Sequence, residues 1–285
     1  EVQLVGLLLL VYAAPNVAPT ISSVSSTTVG TGLMGYMGNK GAVITRILLG
    51  ETTRIVFINC HLAAGADKGS LDRRNWDAAQ IISRAKFDAL DPDVEGYDDS
   101  AETIGKEDFA FWFGDLNYRV DDVPGDDVRR LLSLHTRNEY DAKRKHRKRP
   151  EGDPPSPVLV AEEGSDETSG DDSNKSSDGG DEADADKIPE ESDPTSLLNT
   201  LNTLLTHDQL RIQQQQRKAF HEGWREGSIR FLPTYKYDIG TIATFDSSEK
   251  KRGPSWCDRI LYRSKRDLLN YQKRIKREEE ARRRD

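Results

Sequence analysis

Three short apolar runs that end abruptly on polar clusters restrict the fold of these 285 residues more than any other feature. Thr53-Arg-Ile-Val-Phe-Ile runs into Asn59-Cys60-His61, and Phe109-Ala-Phe-Trp-Phe113 runs into Gly114-Asp115-Leu116-Asn117. The third cluster, Ser255-Trp256-Cys257-Asp258-Arg259, adjoins Ile260-Leu261-Tyr262. Runs of this length and composition predict strands. Strands that deliver His, Asp and Asn to one rim build a rigid hydrolytic site. Taken singly, His61 also reads as a core or capping histidine, and Asp115-Leu116-Asn117 as an Asx turn after a glycine. Their recurrence at strand ends is what points to chemistry.

The remaining elements follow the same two periods. Gly41–Leu49 predicts a strand that pairs antiparallel with Thr53–Cys60 through the turn Gly50-Glu51-Thr52. Val5–Tyr12 is continuously apolar and predicts a strand buried on both faces. It has a signal-peptide length, but acidic Glu1 precedes it and no basic residue does, so the strand is the stronger reading. Helical spacing covers 71–90, ended by Asp91-Pro92, then 128–140 and 197–220; 230–232 and 260–262 predict short strands. Sheet pairs alternating with helices imply an α/β sandwich with helices outside.

Charge divides the chain. The net −8 is the sum of −14 on residues 151–195, with sixteen acidic residues against Lys175 and Lys187, and +6 on the other 240. That Ser-, Asp- and Gly-rich stretch carries too little apolar surface to order itself. With the basic run Lys143–Arg149 it forms a predicted disordered insertion over 143–195 that interrupts one domain of residues 1–263. Residues 264–285 predict a charged helical tail. Two cysteines allow at most one disulfide and sit in hydrophobic runs, which favours a reducing compartment. No apolar stretch reaches the ~20 residues of a membrane-spanning helix.

Gly32-Leu-Met-Gly-Tyr-Met-Gly38-Asn39-Lys40-Gly41 holds four glycines in ten residues. Such a loop brings backbone close to a ligand, and Asn39 with Lys40 supplies hydrogen bonds and charge for a phosphate. It lacks the Gly-Lys-Ser/Thr order of a nucleotide-binding P-loop. Tyr235-Lys236 and Lys250-Lys251-Arg252 form a second cationic set around the Trp256 cluster. Several cationic pockets predict a substrate with more than one phosphate.

Six motifs occur in order: Gly35-Tyr-Met-Gly-Asn-Lys-Gly-Ala-Val43, Asn59-Cys-His-Leu-Ala-Ala-Gly65, Arg73-Arg-Asn75, Phe113-Gly-Asp-Leu-Asn-Tyr-Arg119, Phe231-Leu-Pro-Thr-Tyr-Lys-Tyr237 and Pro254-Ser-Trp-Cys-Asp-Arg-Ile-Leu261. Together they resemble the inositol polyphosphate 5-phosphatases. The resemblance implies a four-layer α/β sandwich, two packed and mainly antiparallel sheets flanked by helices, as in deoxyribonuclease I and the apurinic endonucleases. It implies Mg²⁺-dependent removal of the 5-phosphate from phosphoinositides such as phosphatidylinositol 4,5-bisphosphate, or from soluble inositol phosphates. By the same resemblance Asp115 is the base for the attacking water, Asn117 holds that water or a phosphoryl oxygen, and His61 and Asp258 complete the catalytic set. Asn39 and Lys40 would contact the 1-phosphate. Tyr235, Lys236, Lys250 and Arg252 would contact the 4-phosphate, and Arg74, Asn75 and Arg119 would join the substrate-binding set.

The sequence departs from the family at both ends. The family's metal-ligand Glu and its terminal Ser-Asp-His are not found in residues 1–285. The expectation is a catalytic domain incomplete at both termini, impaired in activity, with its metal ligands unassigned. Two other readings stand beside it. One is a catalytically dead phosphoinositide-binding module. The other is a nuclease of the same fold, against which Asn39-Lys40 and Tyr235-Lys236 have no role in reading a duplex. The expected protein is a cytoplasmic monomer that meets the cytosolic face of anionic membranes and binds no nucleic acid.

Overall fold

A computed structural model describes residues 1–88, 103–136, 193, 195–241 and 244–284. The predicted insertion over 143–195 lies almost wholly outside the described residues. The centre is a six-stranded sheet of β3 (Ile21–Gly30), β4 (Gly41–Leu49), β5 (Thr53–His61), β6 (Phe109–Asp115), β8 (Asp258–Ser264) and β7 (Arg225–Glu226), in that order. All neighbours are antiparallel except β5 and β6, which run parallel. That exception follows from the connection: α1 (Lys68–Arg84) carries the chain back across the sheet between β5 and β6.

A second, two-stranded sheet of β1 (Val2–Leu4) and β2 (Leu7–Leu9) packs on β3, β4 and β5. The Asn59 amide donates to Leu8 O at 3.0 Å from below it. This corrects the single buried strand expected over Val5–Tyr12. Gly6 and the positive φ of Val5 turn the chain back, leaving Val5, Leu8, Leu10, Val11 and Tyr12 exposed. An unbroken apolar run carries no period from which such a reversal can be read.

β4 is buried along nearly its whole length, as a strand covered on both faces must be. Helix α1 begins at Asp67, whose side chain accepts from the Ser70 amide, and its Ala78 and Ile81 join Ile44, Ile58, Trp112 and Phe220 in the main core. It ends at Arg84, short of the boundary expected at Leu90. A second core forms where α2 (Gly125–Thr136) and α3 (Leu197–Leu205) pack around Trp256, Phe245 and Ile229.

The helix expected over 197–220 is two helices. Asp208, 0% exposed, caps α4 (Gln209–Gln215) by accepting from the Arg211 amide. Residues 230–232 form no strand; β7 holds that edge instead. The predicted tail helix is α5 (Lys265–Arg282), started by a capping box between Ser264 and Asp267 and paired to the body through Arg217–Glu278 and Arg225–Asp267. Both cysteines are buried and free. Among the described residues no helix is long and apolar enough to cross a membrane.

Candidate active site

Strand register assembles the site. On one rung of the sheet His61 of β5 stands opposite Asp115 of β6, and Asp115 stands opposite Asp258 of β8. On the other side of β5, Gly41 pairs with His61, so Lys40 arrives beside the imidazole. Four segments therefore meet at one rim, held by backbone hydrogen bonds rather than by loop packing. Two glycines permit the approach. A Cβ on Gly41 would sit 1.9 Å from Val29 O and one on Gly114 2.1 Å from Cys60 O, and both have positive φ.

His61 Nε2 lies 3.3 Å from Asp115 Oδ2 and accepts a hydrogen bond from the Lys40 ammonium. The other Asp115 oxygen accepts from the Asn117 amide N–H at 3.1 Å. Burial holds Lys40 below the usual lysine range, with the Asp115 charge opposing it. Burial first, and the Asp115 charge second, push the Asp258 carboxyl above the usual range. Thr234 donates to Asp258 Oδ2 at 3.4 Å, a contact that its motif does not announce.

Asn117 is buried at positive φ. Its amide donates to Leu62 O at 3.0 Å and its Oδ1 accepts from Arg119. The Arg119 guanidinium lies 4.3 Å over the Tyr235 ring, joining two motifs 116 residues apart in sequence. These contacts bring His61, Asp115, Asn117, Asp258, Lys40, Arg119 and Tyr235 together.

Other predicted residues stand elsewhere. Lys40 leaves Asn39 and joins the centre of the rim, because the β4–β5 register delivers it there; Asn39 Oδ1 instead accepts from the Leu33 amide. Arg252 donates to Asp246 Oδ2 at 3.1 Å through its guanidinium, and Arg129 of α2 holds the carbonyls of Lys251 and Arg252. Lys250 is exposed on that loop and Lys236 half-buried beside it.

Arg74 and Asn75, expected among the substrate contacts, turn inward. Arg74 is 0% exposed, and Asn75 pairs with Gln213 and the Tyr118 hydroxyl. Their place on α1 turns them toward α4 and Tyr118: Arg74 donates to amide oxygens, and half-buried Asn75 donates to Gln213 Oε1 and accepts from the Tyr118 hydroxyl. Arg73, in the same motif, braces the Gly-rich loop by donating to the carbonyls of Thr31 and Gly32.

Among the described residues no group of three His, Cys, Asp or Glu side chains is placed to hold a metal ion. Asp115 already engages Asn117 and His61, which leaves Asp258 as the freer carboxylate. That is a thin donor set for a hard cation that takes oxygen ligands at near-ideal geometry.

Comparison with known proteins gives the family. The chain is 35% identical over 272 residues to the mouse type II inositol 1,4,5-trisphosphate 5-phosphatase, covering 95% of this chain and 20% of that protein. It is 31% identical over 265 residues to the Arabidopsis thaliana type I inositol polyphosphate 5-phosphatase 8, covering 92% and 40% respectively. Among solved structures it resembles the inositol polyphosphate 5-phosphatase domain of a synaptojanin in complex with inositol (1,4)-bisphosphate and a calcium ion. That likeness has a TM-score of 0.53 and 28% identity, over 87% of this chain and 49% of the other. The chain thus spans at most two fifths of the length of either curated relative. Residues 1–149 and 183–280 match a single family description, and the chain belongs to the endonuclease/exonuclease/phosphatase family 2, beside its inositol polyphosphate 5-phosphatases.

Proposed function

We propose that this chain carries the reacting centre of a phosphatase that removes the 5-phosphate from phosphatidylinositol 4,5-bisphosphate and related inositol phosphates. The observation that carries the reading is the single rung on which His61, Asp115 and Asp258 stand, flanked by the cations Lys40 and Arg119. Two carboxylates and two cations at one rim match a hydrolysis in which water attacks phosphorus while negative charge spreads over the phosphoryl oxygens.

In this proposal Asp115 accepts a proton from the attacking water as the new P–O bond forms. The bond from phosphorus to the inositol oxygen breaks, and Asp258, whose carboxyl is held toward its protonated form, gives that oxygen a proton. Lys40 faces the phosphoryl group as a donor, with His61 beside it. Arg119, stacked on Tyr235, joins that motif to the rim. Lys236, Lys250 and Arg252 are assigned to a second phosphate by their charge.

Mg²⁺ dependence belongs to the proposal through the family alone. The described residues do not form its site, and slow turnover of the 285-residue chain is expected. The chain would act as a monomer at the cytosolic face of anionic membranes, with the basic run Lys143–Arg149 contributing attraction. Phosphate release from vesicles containing phosphatidylinositol 4,5-bisphosphate, with and without Mg²⁺, tests it. No release, with vesicle binding intact, would leave the binding-module reading.

A further inference from the structure

Arg74 is a buried cation whose bonds all go to amide oxygens. Its Nη1 donates to Ala63 O at 3.1 Å and to Gly65 O at 2.8 Å, and its Nη2 donates to Gln209 Oε1 at 2.8 Å. The guanidinium carbon lies 5.4 Å from the Tyr118 ring centroid, and Nε has no partner. Burying a guanidinium without a carboxylate is unfavourable for stability alone, since burial disfavours its charge.

What the guanidinium joins gives the reason. Ala63 and Gly65 continue the segment that carries His61. Gln209 Oε1, besides accepting from Arg74, accepts from the Arg119 amide N–H at 2.9 Å, and the Gln209 N–H donates back to Arg119 O at 2.8 Å. The Gln209 amide also donates to Asp121 Oδ2 at 3.1 Å. Arg119 closes the segment that carries Asp115 and Asn117. One guanidinium fork and one carboxamide thus tie the two catalytic segments together from below, at a depth no substrate reaches.

We propose that Arg74 and Gln209 are a pair of positioning residues that hold Ala63–Gly65 against Arg119, the stretches that continue from the paired ends of β5 and β6 beyond the ladder and the Leu62 bonds to Asp115 and Asn117, in place of the substrate contact the Arg74 motif suggests. The assignment rests on the reading of this rim as the reacting centre. A planar fork with fixed donor directions holds two segments in register, whereas a lysine at the same place contacts one at a time. Displacements of about 1 Å at a reacting centre cost on the order of 10²-fold in rate.

Hydrogen exchange and kinetics on the full chain test this together, using Arg74→Lys, Arg74→Met and Gln209→Met. The expected result is that the Arg119 amide exchanges at least about tenfold faster in each variant while the Ile58 amide in the sheet core is unchanged. Wherever phosphate release is measurable, kcat per folded molecule falls about 10- to 100-fold, with KM within about twofold. Arg74→Lys is expected to retain more activity than Arg74→Met. Unchanged exchange at Arg119 in the Gln209 variant overturns the proposal. So does an equal loss of protection at Ile58, which marks a merely structural residue, or a KM rise at constant kcat, which marks a substrate contact. Absence of phosphate release from the parent chain would sink the phosphatase reading but leave the exchange result to decide the coupling.

Discussion

The Lys40 ammonium donates to His61 Nε2, the same nitrogen that lies 3.3 Å from Asp115 Oδ2. The two partners make opposite demands. A lysine donor needs the lone pair of Nε2, whereas a carboxylate acceptor needs a proton there. Lys40 therefore takes the Nε2 lone pair, and loss of Lys40 leaves that nitrogen to Asp115. Lys40→Met is expected to lower the rate of phosphate release about 10²- to 10³-fold, the scale of one transition-state donor. Lys40→Arg should recover part of it. A ¹⁵N spectrum of the histidine side chains would show the His61 Nε2 resonance move toward the protonated type in the Met variant.

Asp258 gives a pH signature. Its carboxyl is raised in the folded protein by burial and by Asp115, whereas an unfolded aspartate titrates near ~3.9. Between those two values the folded state binds more protons, so stability falls as pH rises through that window. Asp258→Asn is expected to raise Tm at pH 7.5 and to leave it equal to the parent below about pH 3.5. Equal Tm values at pH 7.5 would contradict the shift.

Arg259 is held on both sides, by Asp208 at 2.9 Å and by Glu226 at 2.5 Å, with Arg259 and Asp208 both essentially unexposed. Removing Asp208 leaves a buried cation short of a partner and uncaps α4. Asp208→Ala is expected to destabilise the fold by about 3–5 kcal/mol, measured by urea unfolding.

The cysteines should be silent in the native state. Burial pushes the Cys60 thiol far up, and pushes Cys257 up to about 12. Cys60 Sγ also accepts from the Trp112 indole N–H at 3.1 Å. Neither is expected to react with an alkylating reagent at pH 8 until denaturant is added. Fast labelling of either without denaturant would mean that the β5–β6 floor opens readily.

Gly114→Ala offers a geometric test. The added methyl would meet the Cys60 carbonyl, at a φ of +123° that alanine avoids. The β5–β6 pairing must part at the residue before Asp115, so both stability and phosphate release are expected to fall, as thermal melts and assays would show.

Much of this layout was legible in the sequence because the site residues are strand residues. A strand of alternating pattern ending in His61 or Asp115 announces both its conformation and the end that carries the polar group. Lys40 was legible as a phosphate-binding candidate but not as a neighbour of His61, since pairing register belongs to two strands at once. Arg74 and Asn75 were misplaced for the converse reason: motif membership marks a residue as important without saying which face of α1 it occupies. Gln209 carries no local signal, and Thr234 is marked by its motif without its partner; the roles of both exist only through residues distant in the chain. The break at Thr206-His207-Asp208 was hidden because α3 and α4 share an apolar spacing that continues across the cap.

Helices α2 and α3 end and begin a long connection, residues 137–196, yet both are anchored in one hydrophobic cluster by Val128, Leu132, Leu201 and Leu204. The entry and exit of that connection are thus fixed by the same greasy clasp, on elements that contribute no side chain to the rung of His61, Asp115 and Asp258. Whatever is spliced between them, long or short, charged or neutral, the chemistry keeps its spacing. The elements that bound that connection are thus separate from those whose register spaces the rung.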